Sequence, residues 1–312
     1  MKRKFTKILS CILCITTIVT SIPFTSNAER SSSSTDIPDN TVSVESQEAV
    51  IVSEMEGMRS ADAKTYLLSD GSYLHAIYPE PVHYRENNEW VDVDNGFETA
   101  TDDDGDKVLE NKKNSFKIKF SNKAKNKKLV SLKTGENQIS WALKDADKVL
   151  AKVVELDNSN NVKASLDNIN SGVVYEDILP SVNLQYIIDA SSIKEDIILK
   201  DRTAQHEFTF DYQLKKLVYK GNSDGSISFY TEADTSQPVY TMDKPFMYDA
   251  NGATSSDIQV LLQQTNKGFT LQLIADSEWL NARERAYPVT IDSTIITQQV
   301  FLITRQMNCM KR

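Results

Sequence analysis

The residues that could do chemistry are few and scattered. His75, His83 and His206 are the only histidines in the 312 residues, and neither an HExxH pattern nor a compact set of His and Cys ligands is present. Zinc hydrolysis needs such a set, so no metal site is expected. No serine sits in a GxSxG elbow, and Cys309, at the far C-terminal end, has no histidine near it in sequence. The 44 Asp and Glu offer many pairs for glycosidic acid-base work, but that abundance singles out none of them. The expectation is a chain without catalytic residues, cofactor or metal. A wall-polymer hydrolase with an unrecognised carboxylate pair is the enzymatic alternative.

Two stretches offer binding chemistry instead. Asp102, Asp103, Asp104 and Asp106 surround Gly105. Clustered oxygens attract calcium, yet an EF-hand alignment on Gly105 puts Ala100 at the first loop position and Asn111 at the twelfth, so both anchoring carboxylates are missing. A solvated acidic turn is expected. Trp90 shares a strand face with Asp92 and Asp94, and Tyr78 and Tyr84 are close in sequence, so the three rings are a candidate platform for a sugar. The bland alternative for Trp90 is a rim residue over the core edge.

The clearest positioning element is the stretch 171–200. Val182, Leu184, Tyr186 and Ile188 alternate with Asn183 and Gln185, a turn follows at 189–192, and Ile193, Ile197 and Leu199 return on one face against Lys194, Asp196 and Lys200. That is a half-buried β-hairpin. Glu195 breaks the pattern by sitting among the apolar positions, where an unpaired carboxylate is costly. A cation is expected to answer it, from a neighbouring strand or from the Arg283 to Arg285 turn, making Glu195 a structural residue. Trp141 shares a face with Ile139 and Leu143 and is expected in the core. Trp279 follows Asp276, which can cap a short helix through Leu280 before Pro288 bars its continuation.

Lys2, Arg3, Lys4 and Lys7 precede an apolar run over 8–23, and Ser26-Asn27-Ala28 supplies the small residues of a signal-peptidase site. Residues 1–28 therefore read as a secretory signal, with no membrane segment in the mature form. Its removal takes four positive charges and no negative ones, leaving 31 Lys and Arg against 44 Asp and Glu, a net charge of −13. So acidic a chain is not expected to bind nucleic acid, and the basic run 123–128 reads as a solvated turn without interleaved aromatics. With only Cys309 left, no internal disulfide can form, and the core alone must stabilise the fold.

Residues 29–60, serine-rich and then acidic, read as a flexible polar linker. From 61 onward short apolar alternations are punctuated by Asp70-Gly71, Asn95-Gly96, Asp224-Gly225 and Asn251-Gly252, pairs that suit hairpin tips. No long window has a 3.6-residue period. The expected fold is all-β, an antiparallel β-sandwich over 61–292, as one large sandwich or two packed lobes divided near 157–170, with one short helix near the C-terminal end.

The phrases LSDGSYLHAIYPEPVHYRENNEWVDVDN, NKKNSFKIKF, SGVVYEDILPSVNLQYIID with IKEDIILK, DGSISFY, PFMYDANG and ADSEWLNARERAYPVTID resemble the N-terminal module of secreted Gram-positive surface proteins. In such wall-associated proteins the module precedes DNRLRE-type β domains and YD (RHS-type) repeats. The resemblance covers residues 61–292 and implies a secreted, cell-wall-associated, non-enzymatic structural or packing module, whose partners are downstream β or YD-repeat domains. Cell-wall glycan binding is the alternative function. Where the family passes from YPVTIDPT into another β domain, this chain passes into 293–312, which reads as the stub of a truncated or frame-shifted frame.

Overall fold

The computed structural model describes residues 49–124, 127–154, 156, 166 and 168–297. The stretch expected to be a signal, the expected linker up to residue 48, most of the 157–170 stretch and residues 298–312 of the expected tail, Cys309 among them, lie outside the described residues. The chain divides into two compact units, with the boundary in the described chain between Pro81 and Val82.

The first unit is a three-stranded antiparallel sheet, β1 (Ile51–Glu54), β2 (Ala63–Leu68) and β3 (Tyr73–Ile77), with a 3-10 turn at Glu56–Met58. Strand β1 falls inside the stretch expected to be linker. Val52 and Ser53 are exposed and Ile51 and Glu54 half-buried, and the strand is held by backbone pairing with β2 and the Arg59–Glu54 ion pair at 2.7 Å, a signal that apolar alternation cannot carry.

The second unit opens with the hairpin β4 (His83–Glu86) and β5 (Glu89–Asp92). Then β6 (Asp94–Thr101), β7 (Lys107–Lys113), β8 (Lys117–Ser121), β9 (Val130–Thr134) and β10 (Asn137–Leu143) meander into one sheet. The chain crosses to a second sheet with β11 (Ala151–Val154), β12 (Ser171–Leu179), β13 (Val182–Ile188) and β14 (Ser192–Leu199). It returns with β15 (Glu207–Lys215), crosses again through β16 (Leu217–Gly221), β17 (Ile227–Thr231), β18 (Tyr240–Met242), β19 (Phe246–Asp249) and β20 (Thr254–Ser255), and adds β21 (Ile258–Thr265) and β22 (Gly268–Ala275) to the first sheet. After α1 (Ser277–Asn281), β23 (Val289–Thr297) enters the second sheet between β14 and β18. Among the described residues the sheets have eight and ten strands, all neighbours antiparallel.

The two sheets pack face to face over one apolar core. Ile118, Phe120, Leu132, Ile139, Trp141, Phe210 and Leu271 come from the first sheet and Val173, Leu184, Ile197, Phe229, Tyr240 and Ile291 from the second, each almost wholly buried. Rings meet across the interface: Phe120 and Tyr186 lie 5.2 Å apart, and Tyr219 and Phe269 4.3 Å. The antiparallel sandwich is thus as expected, and the 171–200 hairpin pairs in the expected register, Val182 with Leu199 through Ile188 with Ile193. One sandwich spans both sides of 157–170, because β10 and β15 pair directly although that stretch lies between them. Ser293 and Thr294, expected in a tail, belong to β23 and pair with Glu195 and Lys194.

One expected hairpin tip is no tip. Gly71, Gly225 and Gly252 do adopt positive φ at turns, but Asn95-Gly96 lies inside β6 beside a bulge. Asn95 is fully buried. Its amide donates to the carbonyls of Ile169 (2.7 Å) and Asp189 (2.9 Å), and its oxygen accepts from Asn114 (3.0 Å). Asn-Gly favours a turn only where the asparagine side chain has no better partner, and here three elements need its donors and acceptor.

Trp141 is completely buried between the sheets and stacks on Tyr212 at 5.7 Å. Trp141→Ala is expected to cost about 3 to 5 kcal/mol in denaturant unfolding, through lost burial and an unfilled cavity. A loss under about 1 kcal/mol would show that the core closes over the gap.

Candidate functional site

The most unusual chemistry lies at the centre of the sandwich. Glu195 on β14 is almost completely buried and points into the core, as its place among Ile193 and Ile197 requires. No cation reaches it among the described residues. Its Oε2 accepts from Tyr186 Oη at 2.7 Å and from Trp141 Nε1 at 2.9 Å, and Trp141 Nε1 also lies 3.2 Å from Tyr186 Oη. The expected ion pair is therefore corrected: the donors are a neutral indole and a neutral phenol, one from each sheet. Tyr186 was the partner to find, since it faces Glu195 directly across the β13–β14 pair. Trp141 was not legible, because it comes from the opposite sheet.

The protonation of the group follows from this shell. Burial disfavours the charged carboxylate, the two donors favour it, and burial wins, so the carboxyl is pushed up to about 7. Burial next to the same carboxylate drives the Tyr186 and Tyr212 phenols well above their usual range, so both stay neutral. Tyr212 Oη is buried with no hydrogen-bond partner among the described residues. The arrangement can hold one proton in the core near neutral pH.

The cations sought for Glu195 are used elsewhere. Arg285 pairs with buried Asp249 at 2.8 Å and lies over the Trp279 ring at 3.4 Å. Burial alone would raise Asp249, but hydrogen bonds from Ala286 N–H, the Arg285 guanidinium and the Ala253 and Asn251 N–H groups hold it below the ordinary aspartate range. Asp276 caps α1 by accepting from the N–H groups of Glu278 and Trp279, and Trp279 packs half-buried against the core. Lys194, on the opposite face of β14 from Glu195, bridges Asp196 (2.7 Å) and Asp292 (3.0 Å). Burial would lower that lysine, but the two carboxylates raise it above its usual value.

The aromatic candidates are not brought together. Tyr78 belongs to the first unit and Tyr84 and Trp90 to the second. Within the β4–β5 hairpin Tyr84 pairs with Val91 and Arg85 with Trp90, so Tyr84 and Trp90 face opposite ways. Tyr84 is buried against Val93 and Ala190, while half-buried Trp90 lies beneath the Arg85 guanidinium, 4.2 Å from the ring centre. The histidines are also apart: His75 bonds Thr65 in the first unit, His83 is buried in β4, and His206 precedes β15. In the acidic turn Asp102 Oδ1 accepts from the N–H groups of Asp104 and Asp106, and Asp104 faces Lys128 at 3.5 Å. Among the described residues no group of three or more His, Cys, Asp or Glu is arranged to hold a metal, and no helix is long and apolar enough to cross a membrane.

Glu195→Gln tests the buried proton. A folded value near 7 against an ordinary one near 4.5 means that the folded protein binds the proton more tightly than the unfolded chain. The resulting stability is complete below about pH 4.5 and is lost as pH rises towards 7, by on the order of 3 kcal/mol. Glutamine keeps an oxygen for both donors. The unfolding free energy of the wild type should therefore fall relative to Glu195→Gln between pH 5 and pH 8, and parallel profiles would show that the carboxylate does not titrate there.

Comparison with known proteins gives the wider context. The chain is similar to the tRNA nuclease WapA of Bacillus subtilis strain 168, 29% identical over 250 residues, and to the tRNA3(Ser)-specific nuclease WapA of Bacillus spizizenii, 28% identical over 249. Each alignment covers 77% of this chain and 10% of the relative, so the chain spans about a tenth of the length of these proteins. A wall-associated protein of Geobacillus stearothermophilus is 23% identical over 193 residues, 62% of this chain and 73% of that protein. No family model matches, and no solved structure matches. Two expectations are corrected. Proteins named as tRNA nucleases share most of this chain's length, so neither the absence of enzymatic activity nor the absence of a nucleic-acid partner stands. A summed charge does not describe every surface of a molecule, and the motifs of one segment do not describe the whole of a longer polypeptide. What the likeness supports is a wall-associated-protein-like module, secreted or at the cell surface.

Proposed function

We propose that this chain is a cell-surface structural module of a wall-associated polypeptide of the tRNA-nuclease kind, in which DNRLRE-type β domains and YD repeats accompany the sandwich. The observation that carries the reading is the likeness over 250 residues to proteins about ten times as long as the aligned segment. Most of the described chain is a sandwich whose central polar groups are sealed from solvent. Such a body suits the positioning of other domains outside the cell. tRNA is the substrate proposed for the polypeptide as a whole. A sugar platform at Trp90 is not part of this reading, since Arg85 covers the ring and Tyr84 turns away.

Antibody against the chain should label intact, unlysed cells, and material captured with it from the wall fraction should cleave tRNA. Labelling confined to lysed cells would overturn the surface assignment. Captured material inert towards tRNA would overturn the nuclease assignment.

A further inference from the structure

The open face of the eight-stranded sheet carries a row of charge that the core does not explain. Lys117 on β8 is paired with Lys133 on β9, Lys133 with Gln138 on β10, and Gln138 with Lys215 on β15. Residues directly opposite share a face, and strands lie about 4.8 Å apart, so this row spans roughly 14 Å. Like charges placed directly opposite destabilise an antiparallel pair, and Lys117 with Lys133 is such a pair. The row borders a groove of about 220 Å³ lined by five lysines against two aspartates, on a chain whose net charge is −9.

The lysines differ in what neutralises them. Glu110 lies 3.5 Å from Lys117 and 3.1 Å from Lys119, and Asp104 lies 3.5 Å from Lys128. Lys133 and Lys215 are exposed and have no acidic partner among the described residues. Gln138, between them on the row, donates its Nε2 to buried Ser131 at 2.7 Å, which gives the groove a polar floor. Among the described residues no aromatic ring lines it.

These features point to a ligand with repeated negative charge. Ammonium groups bind phosphate as point charges, and two unpaired lysines on strands two spacings apart, roughly 10 Å between backbones, can each meet a different phosphate of one chain, which a single free ion cannot offer. Without a ring for bases to stack on, the groove fits a polyol or sugar phosphate backbone better than single-stranded RNA. We propose that the Lys117–Lys133–Lys215 row binds a polyol phosphate polymer of the cell wall. The source of this ligand rests on the surface assignment above, whereas binding itself can be measured on the purified chain.

The experiment is fluorescence anisotropy of labelled poly(glycerol phosphate) with the secreted chain at 50 and 200 mM salt. Binding should weaken about tenfold between those concentrations, as release of counterions from about two contacted phosphates requires. The double variant Lys133→Gln, Lys215→Gln should bind at least tenfold more weakly, the corresponding double arginine variant should keep binding, and Lys244→Gln, outside the groove, should match the wild type. If the double glutamine variant does not fold by circular dichroism, each single glutamine variant must show a loss of at least threefold. No binding at 50 mM salt, undiminished binding by the glutamine variants, or equal binding of tRNA or of an unphosphorylated wall glycan would overturn the proposal. In none of these outcomes is the surface assignment itself at stake.

Discussion

A carboxylate buried between two sheets must be answered, and the answer at Glu195 ties the halves of the sandwich together. Tyr186 reaches it from the neighbouring strand of its own sheet, and Trp141 reaches it across the interface. A polar group left unsatisfied in such surroundings costs several times what a satisfied one contributes, so the sheets cannot slide past each other without exposing that cost. Apolar packing resists sliding weakly, since one leucine is much like the next, whereas an indole N–H must meet one oxygen. The polar contact thus supplies alignment and the surrounding rings supply burial energy. Neutral donors serve here because they avoid the second desolvation penalty that a buried lysine or arginine would bring.

The same economy recurs at the margins. Asn95 sends its amide to two carbonyls and receives Asn114, joining the start of the first sheet to the turns at 169 and 189 near the second. Asp249 gathers Arg285 and three backbone N–H groups, and the guanidinium is sandwiched onto Trp279, so the segment after α1 is held before β23 enters its sheet. Strand β23 pairs with β14, β18 and β19, which makes it the splice between chain segments far apart in sequence. Its alternation of Val289, Ile291 and Ile295 inward follows the same period of two as the central hairpin.

What was legible in the sequence followed from that period. The hairpin β13–β14, its register and the inward phase of Glu195 all come from alternation, because one face of each strand is buried and the pattern is strong. Trp141 in the core and the Asp276 cap were legible for equally local reasons. Strands β6 and β7 were not, since β6 is the edge of its sheet and much of both is wet, so apolar residues do not mark them. The partners of Glu195 were half legible: a neighbour across a hairpin can be counted from the turn, but a residue from the opposite sheet depends on how two faces meet. A cation is the expected answer to a carboxylate only when pairing is judged by charge, which ignores which side chains the fold can deliver.

The lysine row shows the same gap between composition and placement from the opposite direction. Lys117, Lys133 and Lys215 are far apart in sequence and belong to a chain with an acidic total, so no window of residues displays them as a basic segment. Antiparallel pairing brings them to one rung of the ladder, because β8, β9 and β15 each contribute an outward lysine there and β10 contributes Gln138. The potential at a surface depends on charges within about one Debye length, roughly 10 Å at 0.1 M salt, and the acidic residues beyond that distance are screened from the row. A polyanion approaching this face therefore meets the local lysines rather than the net charge of the molecule. It is the register of β8, β9, β10 and β15 that makes the face basic, just as the register of β13 and β14 makes Tyr186 the neighbour of Glu195.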